Sequence, residues 1–266
     1  LSRPTADTVR CQGRLSPGEY RIDGGVSSQF LTGLLLALAL VPGESSLTVL
    51  GKLESAPYVT MTQRAMALFG RNTENFRISG GTFRSPGALT VEGDWSNAAF
   101  FLAAQALGSD VTVENLNFDS PQGDRACAAL LPGLTEGRLT VDASDIPDLV
   151  PILAVTAANC HGAVFTNIQR LRLKESDRVE AVIALLTALG GRAEADSDTL
   201  TVWGTGLTGG TVDSRNDHRI AMAAAIGATV CSSPVTVLGA QCVEKSYPAF
   251  WREYQQLGGK YEQHLR

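Results

Sequence analysis

Residues 211–230 read TVDSRNDHRIAMAAAIGATV. The β-branched start predicts a short strand at 211–213, and the apolar run after it predicts a helix at 217–230. Asp217 stands where a helix N-cap accepts a backbone hydrogen bond. A second β-branched strand, at 235–238, and another helix follow. Strand, helix, strand and helix in this order are typical of an α/β protein.

The same order of elements recurs along the chain. Its first helices are predicted to start near Ser27, Asp94, Asp148 and Asp217, at spacings of roughly 50 to 70 residues, which are long for a solenoid repeat and typical of a βαβαββ module. We therefore expect an α/β chain (α+β type) of four related modules. The alternative is an α/β chain whose helices and strands alternate without a repeat. Among the predicted elements are strands at 89–92, 111–116 and 260–264 and a helix at 124–134.

The composition is that of a folded protein rather than a disordered segment. The chain has 266 residues, of which 44% are hydrophobic and 18% charged. The longest apolar run, 30–42, contains Thr32 and Gly33 and is shorter than the roughly 18 to 20 residues of a membrane-spanning helix. No apolar signal-peptide region stands near the first residues. We therefore expect a cytoplasmic protein with no membrane partner.

Cysteine spacing and net charge narrow the function classes. The five cysteines are far apart and form no C-x-x-C pair, which predicts buried free thiols and no metal site. The 22 Lys and Arg against 27 Asp and Glu give a net charge of −5, so nucleic acid is not expected as a partner. An anionic ligand would need a local cluster of cations.

Three predicted helix starts are unusually polar. Free N–H groups and the positive end of the helix dipole make such starts anion sites. They are residues 27–29 (SSQ), 174–178 (KESDR) and 216–219 (NDHR). A cation in the first helical turn, as at Arg178 and Arg219, is unfavourable unless it meets an anion. The structural alternatives are, in that order, an ordinary N-cap, an exposed ion-paired turn and a hydrogen-bonded His218.

Asp148 and Lys245 also stand at predicted helix starts. Taken alone, Asp148 is best interpreted as an N-cap. Taken together, however, the charged residues occupy equivalent points of the modules, and these points gather on one side if the modules share one handedness. We therefore predict a site for a multiply anionic substrate with two acid–base groups beside it. Its cations are Lys174, Arg178, Arg219 and Lys245, and its carboxylates are Asp148 and Glu175.

Six short motifs, in order, carry a resemblance to a known family. They are DGGVSSQF at 23–30, SAPY at 55–58, DIPD at 145–148, LKESDR at 173–178, NDHR at 216–219 and KSYP at 245–248. Together they resemble the 3-phosphoshikimate 1-carboxyvinyltransferase (EPSP synthase) family from about Val9 onward. The resemblance implies two domains of three βαβαββ modules each, with the active site in the cleft between them. We expect residues 1–92 to be part of one domain, whose N-terminal modules are missing, and residues 93–266 to form the other.

The resemblance also implies an activity. The family transfers the enolpyruvyl group of phosphoenolpyruvate to the 5-hydroxyl of shikimate 3-phosphate and releases phosphate, on the shikimate pathway to aromatic amino acids, without metal or organic cofactor. The whole enzyme is expected to be a monomer. By matching motif, shikimate 3-phosphate is expected to contact Ser27, Ser28, Gln29, Ser55, Asp148 and Lys174. Phosphoenolpyruvate is expected to contact Gln29, Arg178, Arg219 and Lys245. The expected catalytic residues are Asp148, which takes the hydroxyl proton, Glu175, which protonates the methylene carbon, and Lys245.

Two departures from the family pattern bear on this prediction. Arg170 stands where some members carry Asn, so it is left out of the site. The family's N-terminal phosphoenolpyruvate-binding segments have no counterpart before Leu1. We therefore expect this chain alone to be weakly active or inactive, and to expose apolar helix faces within residues 9–92. The alternative functions are a UDP-N-acetylglucosamine enolpyruvyl transferase and a non-catalytic binding module of the same fold.

Overall fold

Helices alternate with short strands through residues 2–25 and 27–263, which the computed structural model describes. This order confirms the α/β class predicted from the sequence. The chain divides after Thr90 into two units, Leu1–Thr90 (unit 1) and Val91–Arg266 (unit 2). None of the helices in the described ranges is long and apolar enough to cross a membrane.

Unit 1 is built on a three-stranded sheet in which β3 (Glu19–Asp23), β4 (Glu44–Leu50) and β5 (Arg77–Ser79) follow in this order. Strands β3 and β4 are parallel and are joined by helix α1 (Ser28–Leu38), whereas β5 pairs antiparallel with β4. One side of α1, at Leu31, Leu35 and Leu38, is buried in the core of this unit. The elements are β1 (Ser2–Thr5), β2 (Thr8–Arg10), β3 (Glu19–Asp23), α1 (Ser28–Leu38), β4 (Glu44–Leu50), α2 (Ala56–Leu68), a 3₁₀ turn (Glu74–Phe76) and β5 (Arg77–Ser79).

Unit 2 continues the alternation. Its helices are α3 (Trp95–Ala106), α4 (Cys127–Glu136), α5 (Val150–Asn159), α6 (Arg178–Ala188), α7 (His218–Ala228) and α8 (Phe250–Gln256). Its strands are β6 (Leu139–Asp142), β7 (Ala163–Thr166), β8 (Arg192–Ala195), β9 (Thr199–Trp203), β10 (Gly210–Asp213) and β11 (Val235–Leu238). Three 3₁₀ turns lie between them, at Gly123–Ala126, Gln169–Leu173 and Ala240–Lys245.

One segment of unit 2 has the predicted βαβαββ order. It runs β6, α5, β7, α6, β8 and β9, and its strands form one sheet in the order β6-β7-β9-β8. Strands β6 and β7 are parallel, and β9 pairs antiparallel with β7 and β8. Strands β10 and β11 form a second parallel pair around α7.

Helices α5 and α7 form the centre of the core of unit 2. Nearly every residue of both is buried, and the two helices pack against each other and against α3. Their many small residues allow this close approach; for example, a Cβ on Gly227 would lie 3.3 Å from Val155 and Leu189. Since all three helices pack in one core, their N-terminal ends are held relative to one another.

Several predicted elements differ from the structure. Residues 89–92, 111–116 and 260–263 are not strands, because a segment forms a strand only where a neighbouring strand pairs with it; His264 lies outside the described residues. The helix predicted at 124–134 is divided into the Gly123–Ala126 turn and α4. The five cysteines are free, as predicted, but Cys11 is exposed, and only Cys127 and Cys242 are fully buried.

Candidate active site

The predicted site residues of unit 2 follow the carboxyl ends of parallel strands. Asp148 lies after β6, and the 174–178 segment lies after its parallel neighbour β7. Arg219 and Lys245 lie after β10 and β11, the other parallel pair. Because parallel strands end at the same edge of a sheet, the loops of each pair come together there.

Asp148 is the centre of the cluster. The alternative interpretation of Asp148 as an N-cap is wrong, because α5 begins at Val150 with Leu149 as its cap, and the Asp148 carboxylate makes other contacts instead. Its Oδ1 lies 2.6 Å from Arg178 Nη1 and 3.3 Å from Lys174 Nζ. Its Oδ2 lies 3.2 Å from Arg219 Nη2. Three of the four predicted cations therefore meet at one carboxylate.

These contacts set the ionisation of Asp148. Burial alone raises the pKa of a carboxyl group, but the charges of Arg219, Lys174 and Arg178 overcome burial and hold the pKa of Asp148 well below its usual range. Asp148 is therefore an anion and a weak base in this state. Any anion that draws Lys174 or Arg219 away from it would make it a stronger base.

Arg178 is a buried cation that joins three carboxylates. Its side chain is fully buried, and besides Asp148 it contacts Asp217, with Nε 3.0 Å from Oδ2, and Glu175, with Nη2 2.5 Å from Oε2. Burial lowers the pKa of an arginine, but Asp148 and Asp217 outweigh this and raise it. Because it is enclosed, Arg178 holds the carboxylates in place, whereas Lys174 and Arg219 are partly open to solvent.

Asp217 was predicted only as a helix cap, and in the structure it also forms an ion pair. Its Oδ1 accepts from the backbone N–H of Arg219, which is the predicted capping contact. Its Oδ2 accepts from Arg178 and from the Ser176 hydroxyl, at 3.0 Å each. Burial opposes ionisation, but Arg178 and these hydrogen bonds lower the pKa of Asp217. One buried carboxylate thus fixes α7 to the loop before α6.

The first turn of α7 carries His218 and Arg219. The unfavourable position of Arg219 near the positive end of the helix is compensated by Asp148, as the sequence argument required. His218 is buried, and among the described residues its Nδ1 has no hydrogen-bond partner. Burial and then the Arg219 charge lower the pKa of His218, so it is neutral at pH 7.

Glu175 and Lys245 lie at the open side of the cluster. The Glu175 side chain is 42% exposed while it contacts Arg178. Lys245 is exposed, and its Nζ donates to the backbone oxygen of Asn216 at 2.6 Å, directly before Asp217. Glu175 and Lys245 are therefore each held by a contact within the protein and are still accessible to solvent.

The predicted residues of unit 1 lie at two neighbouring helix starts. Ser27 caps α1, with its Oγ accepting from the N–H of Gln29, while Ser28 is buried and Gln29 exposed. Ser55 is buried at the N-cap of α2. The two starts are held together by the Gly24 carbonyl, which accepts from the N–H of Glu54. A Cβ on Gly24 would lie 2.9 Å from the Lys52 carbonyl oxygen, so this contact requires glycine.

The structure thus brings Asp148, Lys174, Glu175, Arg178 and Arg219 into one ion-paired cluster with Lys245 beside it. Arg170 is half-buried in the turn Gln169–Leu173 and was not predicted to belong to the site. The sequence interpretation missed Asp124, a buried carboxyl before α4. A signal was present, because QGD in residues 122–124 precedes a helix as the other charged motifs do.

The protein is of the α/β class, with a βαβαββ sheet. Near the starts of its helices, one carboxylate is surrounded by cations, and such a cluster of cations can bind an anionic ligand. The family model described as EPSP synthase (3-phosphoshikimate 1-carboxyvinyltransferase) matches residues 7–133 and 133–254. The chain belongs to this family.

Curated relatives agree. The chain is 40% identical over 270 residues to a 3-phosphoshikimate 1-carboxyvinyltransferase of Clostridium novyi, a match covering 93% of this chain and 62% of that protein. It is 39% identical over 275 residues to the protein of the same name from Clostridium kluyveri, covering 94% of this chain and 64% of that protein. The chain therefore spans less than two thirds of the length of these relatives.

Solved structures share the fold. An EPSP synthase from Acinetobacter baumannii superposes with a TM-score of 0.75 at 23% identity, over 94% of this chain and 64% of that one. The enolpyruvyl transferase NikO from Streptomyces tendae superposes with a TM-score of 0.71 at 18% identity, over 98% of this chain and 68% of that one.

Proposed function

We propose that the protein containing this chain transfers the enolpyruvyl group of phosphoenolpyruvate to the 5-hydroxyl of shikimate 3-phosphate and releases phosphate. The observation that carries this proposal is Asp148, a largely buried carboxylate within 3.3 Å of Lys174, Arg178 and Arg219. Membership of the EPSP synthase family and the names of the relatives support the same reaction. We place the protein in the cytoplasm as a monomer, with small anionic substrates as its partners.

The substrates would be divided among the predicted residues by chemistry. Phosphoenolpyruvate carries a phosphate and a carboxylate, which match the charge-assisted donors of a cation cluster. We assign it to Gln29, Arg178, Arg219 and Lys245. Shikimate 3-phosphate carries hydroxyls and one phosphate, which match hydroxyl and amide groups at helix starts and one lysine. We assign it to Ser27, Ser28, Gln29, Ser55, Asp148 and Lys174.

The proton steps follow from the electrostatics of the cluster. Substrate anions that engage Lys174 and Arg219 would weaken the hold on Asp148, raise its pKa and let it accept the 5-hydroxyl proton. Glu175, which is partly exposed, would donate a proton to the methylene carbon as the oxygen attacks. The resulting tetrahedral adduct then loses phosphate and one proton, which restores the double bond. Lys245 would stabilise the anionic groups during these steps.

The test measures phosphate release when phosphoenolpyruvate and shikimate 3-phosphate are mixed with the chain. The variant Asp148→Asn removes the acceptor charge, and Asp145→Asn makes the same change at an exposed position of the same loop. Release that is lost in Asp148→Asn and kept in Asp145→Asn supports the proposal.

A binding measurement separates the remaining outcomes. Shikimate 3-phosphate that raises the melting temperature without turnover would mean that the site binds but that this chain alone does not complete the reaction. Protection by UDP-N-acetylglucosamine instead would favour the sister transferase. Protection by neither acceptor would contradict the proposal for this chain.

A further inference from the structure

Two consecutive residues in the turn before α7 have a left-handed backbone although neither is glycine. The φ angle is 50° at Arg215 and 58° at Asn216. Such angles are uncommon outside glycine, and asparagine tolerates them better than most residues. They persist where the surrounding structure determines them, and they are concentrated at functional sites. The turn joins β10 to α7, the helix whose first turn carries Arg219.

Hydrogen bonds within the turn hold this conformation. The N–H of Asn216 donates to Ser214 Oγ at 3.3 Å, and the N–H of Asp217 donates to the Ser214 carbonyl at 2.9 Å. Ser214 is fully buried, and its hydroxyl donates to the carbonyl of Gly239, directly after β11, at 3.2 Å. The turn is therefore fixed both internally and to the loop that leads to Lys245.

The carbonyl of Asn216 is directed at Lys245. Lys245 Nζ donates to this oxygen at 2.6 Å. The backbone of Lys245 ends the turn Ala240–Lys245, in which Cys242 and Val243 are buried. Among the described residues the side-chain amide of Asn216 has no hydrogen-bond partner, so what asparagine contributes here is its backbone conformation. Lys245 is therefore held at its backbone by the core and at its ammonium group by one carbonyl.

This contact differs in charge from those of the other three cations of the site. Those three contact the carboxylate of Asp148. Lys245 forms no ion pair among the described residues, and the carbonyl that it contacts is neutral. An ammonium group has three N–H donors, of which the carbonyl takes one. Lys245 therefore keeps its net charge and two donors for a ligand.

We propose that Asn216 is a positioning residue of the anion site: its left-handed backbone directs a neutral carbonyl at Lys245, which orients the ammonium group and leaves its charge for an anionic substrate. A carboxylate in the same place would orient Lys245 but would also neutralise it. This inference rests on the proposed function, because phosphoenolpyruvate is the anion assigned to Lys245.

The first test measures phosphoenolpyruvate binding by calorimetry. Asn216→Val disfavours the left-handed conformation because valine is β-branched, whereas Asn216→Gly permits it freely. We expect binding about five- to tenfold weaker in Asn216→Val, and within about twofold of wild type in Asn216→Gly. Asn115→Val makes the same change at another exposed left-handed asparagine of unit 2, with φ 61°, and should have no such effect.

Two results of this test would overturn the inference. One is wild-type affinity in Asn216→Val, and the other is an equal loss in Asn216→Gly, which would assign the effect to the side chain. If Asn216→Val does not fold, Asn216→Ala replaces it, since alanine also disfavours positive φ and should weaken binding in the same direction by a smaller factor.

A double-mutant cycle separates an effect through Lys245 from an effect through the neighbouring Asp217. In a Lys245→Met background the carbonyl has no ammonium group to orient, so Asn216→Val should change the dissociation constant by less than about twofold. Disturbance of Asp217 would instead weaken binding by the same factor in both backgrounds. That additive result would overturn the inference.

A second test needs no ligand. The chain has only four lysines, so the signals of their ammonium groups can be resolved by NMR with ¹⁵N-labelled lysine. The signal that is lost in Lys245→Met should show slow proton exchange with water in wild type and in Asn216→Gly, and faster exchange in Asn216→Val. Exchange in wild type as fast as that of Lys260, which is exposed, would overturn the inference. If the wild type binds no phosphoenolpyruvate, the proposed function fails for this chain, while the exchange rates still decide whether Asn216 orients Lys245.

Discussion

Arg178 Nη1 lies 2.6 Å from Asp148 Oδ1, and this fully buried guanidinium ties the loop before α5 to the first turn of α6. The same group contacts Asp217, which caps α7. Three segments far apart in the sequence thus meet at one side chain. The site and the core of unit 2 therefore depend on each other.

Replacing Arg178 should destabilise unit 2. In Arg178→Gln the buried carboxylates of Asp148 and Asp217 lose their shared partner, and breaking such a network costs about 3 to 5 kcal/mol. Urea unfolding measures this loss. Arg252→Gln, at an exposed arginine of α8, should change stability by less than about 0.5 kcal/mol. Equal stability of the two variants would show that the network is replaceable by solvent.

Stability should fall in acid because of the same carboxylates. Asp148 and Asp217 have pKa values lowered in the folded protein, so their stabilising contribution is present above about pH 4, the unfolded pKa, and is lost as the pH falls toward the folded values. Asp148 alone should contribute on the order of 2 kcal/mol at pH 7. Unfolding midpoints between pH 2 and pH 7 should therefore decline less in Asp148→Asn than in wild type. Parallel curves for the two proteins would contradict this assignment.

Periodicity and capping residues predicted the fold class well. Asp94, Asp217 and Ser27 cap helices where the sequence indicates, because an N-cap is a local signal. Strands were less predictable, since residues 111–116 have strand composition but no neighbouring strand pairs with them. Pairing depends on the rest of the sheet and cannot be deduced from one segment.

The candidate site likewise depends partly on local sequence signals, which can be predicted, and partly on contacts between distant segments, which cannot. That Arg178 and Arg219 need anions followed from their positions in the first helical turn. The identity of these anions could not be predicted from the same positions, because Asp148 and Asp217 come from other segments of the chain. Asp124 was missed for a related reason, as its burial beside Ser96 arises only when α3 packs in the core.

Substitutions of Lys245 and of Arg219 should differ in their effects: the first should weaken ligand binding alone, and the second should weaken both ligand binding and stability. Lys245 is exposed and donates only to a backbone oxygen in the described contacts, so Lys245→Met should leave the unfolding free energy within about 0.5 kcal/mol of wild type. Phosphoenolpyruvate binding should nevertheless weaken about 10- to 100-fold, the value of a charge-assisted hydrogen bond. Arg219→Met should lower both quantities because it also unpairs Asp148. Calorimetry and urea unfolding measure the two effects, and Lys260→Met controls for the loss of an exposed lysine. Unchanged binding in Lys245→Met would remove Lys245 from the site.

The outer face of α1 should make the chain self-associate. Phe30 and Leu36 of α1, and Leu40 in the turn directly after it, are 58%, 42% and 61% exposed, although the other side of the same helix is buried in the core of unit 1. A helix that is apolar on both sides is normally covered, and a second copy can bury this face when nothing else does. Light scattering should therefore detect dimers or larger species, and Leu40→Glu should shift the population toward monomer. Leu257→Glu, at a leucine of similar exposure just after α8, should not have this effect. A monodisperse monomer in the wild type, at concentrations up to the limit of solubility, would show that this face is compatible with water.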